Sequence, residues 1–361
     1  MDPSHQSRIC ISLCEPTVAA LERAIAAAAE ACDLFEVRLD CLEPLELETG
    51  AAAITKLLEQ SACKSILTFR PSQEGGRRVL DDATRQTFWS DAIFSSSFFD
   101  VELDLAEKFH TSETSRPLPI DWSRTICSHH DFDGVPDKLD QIYSRMSRTP
   151  ARVLKIAVQA KDAIDCLPVF QLLERAREDG REMIAIAMGV AGVATRILGP
   201  SRGGFLTYAS LDSETATAPG QLLLSELTDV YRLEELDRHT QIFGLVGCPV
   251  SHSLSPRIHN SAFAATGTNA VYLLFETRDI TTFIKRMIHP RTRELDWRLR
   301  GLSVTAPHKF AVMEHLDWIE PAARQIGAVN TIVVEGEALH GFNTDAPGFI
   351  KPLVQVFGDL R

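Results

Sequence analysis

The chain has 361 residues, 45% hydrophobic and 24% charged, with 20 glycines and 18 prolines, an ordinary globular balance that excludes disordered, collagenous and low-complexity classes and is long enough for two domains of roughly 100 to 200 residues. Its 37 Lys and Arg stand against 49 Asp and Glu, a formal net charge of −12, whereas a protein that neutralises nucleic-acid phosphates carries a basic face, so no nucleic-acid partner is expected. The eight cysteines (Cys10, Cys14, Cys32, Cys41, Cys63, Cys127, Cys166, Cys248) form no CxxC pair and are expected as reduced core thiols; with no leader-like start and no run near the roughly 20 apolar residues of a membrane span, a cytoplasmic protein without a membrane partner is expected.

Strand-type runs at 8–13, 34–39, 65–69, 98–103, 124–128, 153–158, 183–187 and 205–208 alternate with helix-type runs such as 17–31, 51–60, 82–94, 105–110, 138–146, 163–178 and 221–236. Eight strand-plus-helix units predict a (β/α)8 TIM barrel over residues 1–237; an open doubly wound sheet fits the same pattern. After a linker at 238–241 the pattern restarts, with strands at 242–247, 270–275, 299–305 and 329–334 and helices at 256–265 and 280–288. That is a smaller three-layer α/β domain, assigned to 242–361.

A barrel places its active site at the C-terminal ends of its strands, where this sequence gathers charge. In Glu36-Val37-Arg38-Leu39-Asp40 the two-residue period puts the charged trio on one face. The same period turns Arg70 inward and gives Asp100, Glu102 and Asp104 one face. In Val153-Leu154-Lys155-Ile156-Ala157-Val158, Leu154, Ile156 and Val158 belong outside, leaving Lys155 inside between Val153 and Ala157. Burial depresses an amine's pKa and makes it a nucleophile able to form a Schiff base; an ion-paired strand lysine is the alternative. His129 and His130 follow the fifth predicted strand and are candidate proton shuttles, with spacing unable to choose between them and no further metal ligands at suitable spacing. Arg38, Arg70 and Arg196 are able to grip a carboxylate, or to form salt bridges with Glu36, Glu74 or Glu102. Thr217-Ala218-Pro219-Gly220-Gln221 reads as a turn or as a flap over a ligand.

Six of these motifs occur in the order found in type I 3-dehydroquinate dehydratase, which residues 8–236 resemble: Glu36-Val37-Arg38, Thr68-Phe69-Arg70 with Glu74-Gly75-Gly76, His130-Asp131-Phe132, Lys155-Ile156-Ala157, Met188-Gly189 leading to Arg196, and Ala218-Pro219-Gly220-Gln221. The resemblance implies that Lys155 forms an imine with the C3 ketone of 3-dehydroquinate. It implies that His130 removes a C2 proton and later protonates the leaving C1 hydroxyl, with Glu74 orienting it. Arg196 would hold the substrate carboxylate, while Ser12, Glu36, Arg38, Arg70 and Gln221 contact ring hydroxyls or order the pocket. Thr217 stands where many members have serine. No cofactor and no metal are implied for this half.

The second unit resembles the substrate domain of shikimate dehydrogenase through Gly247-Cys248-Pro249-Val250-Ser251-His252-Ser253-Leu254-Ser255-Pro256, Leu302-Ser303-Val304-Thr305-Ala306-Pro307-His308-Lys309, Gly327-Ala328-Val329-Asn330-Thr331 and Asn343-Thr344-Asp345. Each motif alone also reads as a helix cap or start. The resemblance implies that Ser253, Ser255 and Thr305 bind the shikimate carboxylate, Asn330 the ring, and that Lys309 and Asp345 form the proton-transfer pair. The family uses NADP, whose pyrophosphate takes a glycine-rich turn at a helix N-terminus. No GxGxxG run occurs here, so this chain is not expected to bind NADP in the usual way. The expected partners are 3-dehydroquinate and 3-dehydroshikimate or shikimate, with homodimerisation left open. The competing readings are a bifunctional dehydratase and dehydrogenase whose nucleotide domain is missing, a tail that is only a ligand-binding or interaction module, and another Schiff-base aldolase.

Overall fold

Alternating inward and outward side chains let a strand bury both faces when it sits between a barrel interior and a layer of helices. In the computed structural model, which describes residues 9–32, 34–91, 97–111, 120–212 and 215–358, eight strands do this: β1 Ile9–Leu13, β2 Leu34–Arg38, β3 Lys64–Thr68, β4 Phe98–Glu102, β5 Thr125–Asp131, β6 Val153–Gln159, β7 Glu182–Met188 and β8 Thr207–Ser210. The predicted strand residue Arg8 and helix residues 92–94 lie outside the described residues. Parallel pairing runs from β1 through β7 in sequence order, with β8 on the other side of β1. The Phe205 N–H, just before β8, donates to the Met183 carbonyl of β7 at 2.7 Å. That bond closes the ring, so the sheet is a barrel and not an open doubly wound one.

The chain divides into two compact units, Met1–Lys161 with Pro168–Glu235, and Asp162–Leu167 with Leu236–Arg361. Inside the barrel, Cys10, Leu34, Ile66, Phe98, Ile126, Val153 and Ala157 belong to one apolar cluster with Ile184, Ile186, Met188, Leu206 and Tyr208. Leu154, Ile156 and Val158 are fully buried on the opposite face of β6, as the alternation requires. Helix Val18–Ala29 starts where the Thr17 hydroxyl accepts the Ala20 N–H at 3.2 Å, and it buries Leu21, Ile25 and Ala28.

Two local expectations change. The helix predicted over 221–236 is instead a short strand, β9 Leu222–Leu223, a π-helical turn at Glu226–Val230 and a 3-10 turn at Leu233–Glu235. Arg232, at a positive φ of 49°, breaks the helical path between the two turns. Strand β5 also runs on to Asp131, so His129 and His130 stand on its end and not in a loop.

The second unit has a mixed six-stranded sheet in the order β11-β10-β12-β14-β15-β13, with β10 Gln241–Gly247, β11 Ala270–Glu276, β12 Leu299–Val304, β13 Trp318–Ile319, β14 Thr331–Glu335 and β15 Ala338–Phe342. Strands β10, β11 and β12 are parallel, and β14 is antiparallel to both β12 and β15. Strands β13 and β15 and helices Pro321–Ile326 and Asp345–Phe357 were not anticipated. The signal for β15 is Gly336, whose φ of +58° makes the two-residue hairpin turn that joins it to β14.

Candidate active site

The C-terminal ends of the barrel strands converge on a cavity lined by Glu36, Arg38, Arg70, Glu74, His130 and Lys155, with Arg196, Thr217 and Gln221 across from them. Every residue expected in the barrel site therefore faces this cavity except Ser12, which stands behind it and donates to Glu36 Oε2 at 2.7 Å.

Lys155 is buried, at 5% exposure. Its Nζ donates to Asp100 Oδ2 at 2.8 Å, lies 3.7 Å from Glu36 Oε1, and sits 4.4 Å above the Tyr208 ring. Glu36 also accepts from the Thr68 hydroxyl at 2.7 Å. Burial raises the pKa of Glu36, but Lys155, Arg38 and Arg70 outweigh it and hold Glu36 below its ordinary value. Asp100 is likewise opposed by burial yet held down to about 2 by Arg70 and Lys155. A positive charge at the Lys155 nitrogen is thus met by two ionised carboxylates.

The histidine pair resolves here. His130 Nδ1 is 3.0 Å from Glu74 Oε2, which also accepts the His130 backbone N–H at 3.1 Å. His129 Nδ1 is 3.9 Å from Glu74 Oε1 and does not line the cavity. Burial, then the charges of Arg70, Lys155 and Arg38, push the His130 pKa well below its ordinary value. Burial, reinforced by Glu102, Asp104 and Asp100 against the pull of Arg70, raises Glu74 to about 8. At neutral pH the proton of this pair resides on Glu74, and the imidazole is a free base.

The arginines differ in their partners. Arg38 makes a bidentate pair with Asp40, Nε to Oδ1 at 2.9 Å and Nη2 to Oδ2 at 2.8 Å, and Arg70 pairs with Asp100 at 2.8 Å. Neither uses the acid expected from sequence. Arg196, 2% exposed, donates from Nη2 to the Pro219 carbonyl at 3.1 Å and leaves Nε unpartnered. Burial pulls its pKa down to about 10, with no carboxylate among the described residues to hold it up. Above it the Gln221 side chain accepts the Thr217 N–H at 2.7 Å and its hydroxyl at 3.2 Å. The Gly189 N–H ties the same turn down through the Pro219 carbonyl at 3.0 Å.

Sequence reasoning gave no role to Thr68, Ser128 or Tyr208, and only a shared face to Asp100. The signal for Ser128 is register: it pairs with Lys155 across β5 and β6, and its hydroxyl donates to Asp100 at 2.5 Å. Cys14 and Cys41 form a disulfide with Cα atoms 5.3 Å apart, correcting the expectation of eight reduced thiols. Parallel pairing of β1 with β2 brings both to the same barrel end, a proximity that their separation of 27 residues conceals. The other six cysteines form no disulfide. Among the described residues no helix is long and apolar enough to cross a membrane, and no His, Cys, Asp and Glu group is suited to a metal.

In the second unit the Ser253 hydroxyl donates to the Ser255 hydroxyl at 3.0 Å. Lys309 Nζ donates to Asp345 Oδ2 at 2.6 Å, which, more than burial opposes, lowers the pKa of Asp345. Asn330 Nδ2 donates at 3.0 Å to the hydroxyl of Thr344, the neighbour of Asp345. Thr305, at the end of β12, anchors through its N–H to the Val246 carbonyl at 2.9 Å.

A closed eight-stranded parallel barrel with a buried lysine, a histidine and, among the described residues, an arginine without an acidic partner at its C-terminal mouth defines a (β/α)8 enzyme site. The profile of type I 3-dehydroquinase matches residues 9–238, and that of the shikimate dehydrogenase substrate binding domain matches 245–332. The chain belongs to the type I 3-dehydroquinase family and carries a shikimate dehydrogenase substrate-binding domain after it in sequence. The 3-dehydroquinate dehydratase of Desulfotalea psychrophila is 32% identical over 231 residues, 63% of this chain and 98% of that protein. The chloroplastic bifunctional 3-dehydroquinate dehydratase/shikimate dehydrogenase of Arabidopsis thaliana is 33% identical over 331 residues, 89% of this chain and 52% of that protein. The chain thus spans about half the length of the latter relative. The solved structure of dehydroquinate dehydratase and shikimate dehydrogenase from S. pombe AroM matches with a TM-score of 0.52 and 25% identity, covering 99% of this chain and 68% of that chain. No two glycines stand two apart anywhere in the sequence, so the Gly-x-Gly turn that takes a dinucleotide's pyrophosphate is not among these residues.

Proposed function

We propose that residues 1–237 dehydrate 3-dehydroquinate to 3-dehydroshikimate through an imine on Lys155, and that residues 242–361 bind shikimate or 3-dehydroshikimate. The Lys155 amine attacks the C3 ketone, and loss of water leaves a protonated imine whose charge stays beside Asp100 and Glu36. That cation acidifies C2 by accepting the electron pair of the C2–H bond as an enamine. Neutral His130 takes the C2 proton and delivers it to the C1 hydroxyl, which departs as water while the enamine electrons form the new double bond. Hydrolysis of the imine frees the product and restores the amine, so the barrel chemistry uses no cofactor and no metal.

Glu74 orients His130. Ser12, Glu36, Arg38, Arg70, Thr217 and Gln221 order the pocket and meet the ring hydroxyls. In the second unit Ser253, Ser255 and Thr305 take the carboxylate, Asn330 the ring, and Lys309 with Asp345 the C4 hydroxyl. The observation that carries the barrel reading is Arg196, a buried guanidinium without an acidic partner among the described residues, in the same cavity as Lys155 and His130. Such a group is costly unless an anion arrives to meet it. Arg196→Met is expected to raise KM for 3-dehydroquinate on the order of 100-fold while leaving the chain folded. An unchanged KM in steady-state kinetics would remove the carboxylate from this position.

A further inference from the structure

Asp40 has no place in the chemistry above, yet it is among the most connected side chains at the barrel mouth. It lies in the 3-10 turn Leu39–Cys41 that follows β2 and is 1% exposed. Its two oxygens take donors from two elements. Oδ1 accepts Arg38 Nε at 2.9 Å and the Arg70 backbone N–H at 3.4 Å, and Oδ2 accepts Arg38 Nη2 at 2.8 Å and the Arg77 backbone N–H at 2.9 Å. Its own carbonyl accepts Arg78 Nε at 3.2 Å, while Arg78 Nη2 donates to the Leu42 carbonyl.

The loop between Arg70 and Arg78 is folded on itself. Ser72 N–H donates to the Arg78 carbonyl at 2.7 Å, and Gly76 N–H to the Pro71 carbonyl at 2.9 Å. Arg38 closes the circuit by donating from Nη2 to the Gly75 carbonyl at 3.2 Å. Glu74 rides on this loop, and its carboxyl is the group 3.0 Å from His130 Nδ1. Asp40 therefore touches no reacting atom but fixes both the Arg38 guanidinium and the loop that carries Glu74. Lys155 touches neither Asp40 nor the loop and is held by Asp100 and Glu36, of which Asp100 also pairs with the Arg70 side chain.

We infer that Asp40 is a positioning residue for the proton-transfer half of the site: its carboxylate sets where Glu74, and through it His130, stands relative to the substrate. The inference rests on the imine reading above. It predicts a separation between two steps that share one cavity. Imine formation depends on Lys155 and survives a change at Asp40, whereas proton transfer from C2 depends on the loop and does not. Asp40→Asn keeps the volume but replaces one acceptor oxygen by a donor that faces N–H groups, and displacement of a catalytic group by about 1 Å can cost roughly 100-fold.

The test compares borohydride trapping with turnover on the full chain. With 3-dehydroquinate, Asp40→Asn is expected to give the Lys155 adduct in the yield of the unaltered protein, while kcat per trappable site falls at least 10-fold. Unchanged kcat per trappable site, or trapping lost in step with kcat, would overturn the inference. Arg78→Met, at the half-buried end of the loop, removes its bonds to the Asp40 and Leu42 carbonyls and keeps the buried carboxylate. It is expected to lower kcat about threefold with trapping intact, and unchanged kcat there also counts against the inference, whether or not Asp40→Asn folds. Failure of the unaltered chain to trap at all would instead overturn the imine reading itself.

Discussion

Lys155 and His130 reach one cavity from adjacent strands, and their surroundings push them toward different tasks. Asp100 and Glu36, both held below their ordinary pKa values, lie beside the Lys155 nitrogen, while burial and three neighbouring cations push the His130 pKa well below its ordinary value. A histidine whose pKa is depressed stays a base to lower pH. The acid limb of kcat is therefore expected below the ordinary histidine value of about 6.5, with rate lost as pH falls through the depressed pKa. His130→Ala is expected to lose at least 1,000-fold in kcat and His129→Ala less than 10-fold. A pH–rate profile and these two variants check the assignment, and equal losses would contradict it. Spacing alone had left the two histidines equivalent. What separates them is Glu74, 56 residues away from His130 in sequence, a relation that no local pattern carries.

The elements were legible where periodicity is strong. The two-residue alternation in 153–158 placed Lys155 inside and Leu154, Ile156 and Val158 outside, and the fold agrees. The run after β8 was misread because its apolar spacing is helical while Arg232 adopts a positive φ of 49°. Strand β13 is two residues long, too short for any period to register. The disulfide was illegible for a topological reason: β1 and β2 become neighbours only once the barrel is paired. Removing it by the double change Cys14→Ser and Cys41→Ser is expected to destabilise the barrel by about 2–4 kcal/mol through the freed denatured chain, a melting shift of several degrees. A reducing agent should lower the melting temperature of the unaltered chain and leave that of the double variant alone. A melting temperature insensitive to reduction would argue against the cross-link.

For the molecule taken whole, the net charge of −12 gave no hint of an anionic substrate, because the recognition proposed above is local: Arg196 in the barrel and serine hydroxyls in the second unit. Two profiles on one chain join a site proposed to make 3-dehydroshikimate to a domain proposed to bind it. The second unit is expected to bind shikimate measurably by calorimetry on the full chain. Replacing Ser253 and Ser255 together by alanine should weaken binding about 10- to 100-fold, the loss of hydrogen bonds to a charged group. No heat of binding from the unaltered chain would contradict that half of the account.

The barrel chemistry proposed above turns on a covalent bond to Lys155. Borohydride added during turnover of 3-dehydroquinate, followed by peptide mass spectrometry, is predicted to find the reduced adduct on the peptide containing Lys155. Lys155→Ala is predicted to lose both adduct and dehydration. An adduct on another residue, or near-normal turnover by Lys155→Ala, would contradict the mechanism.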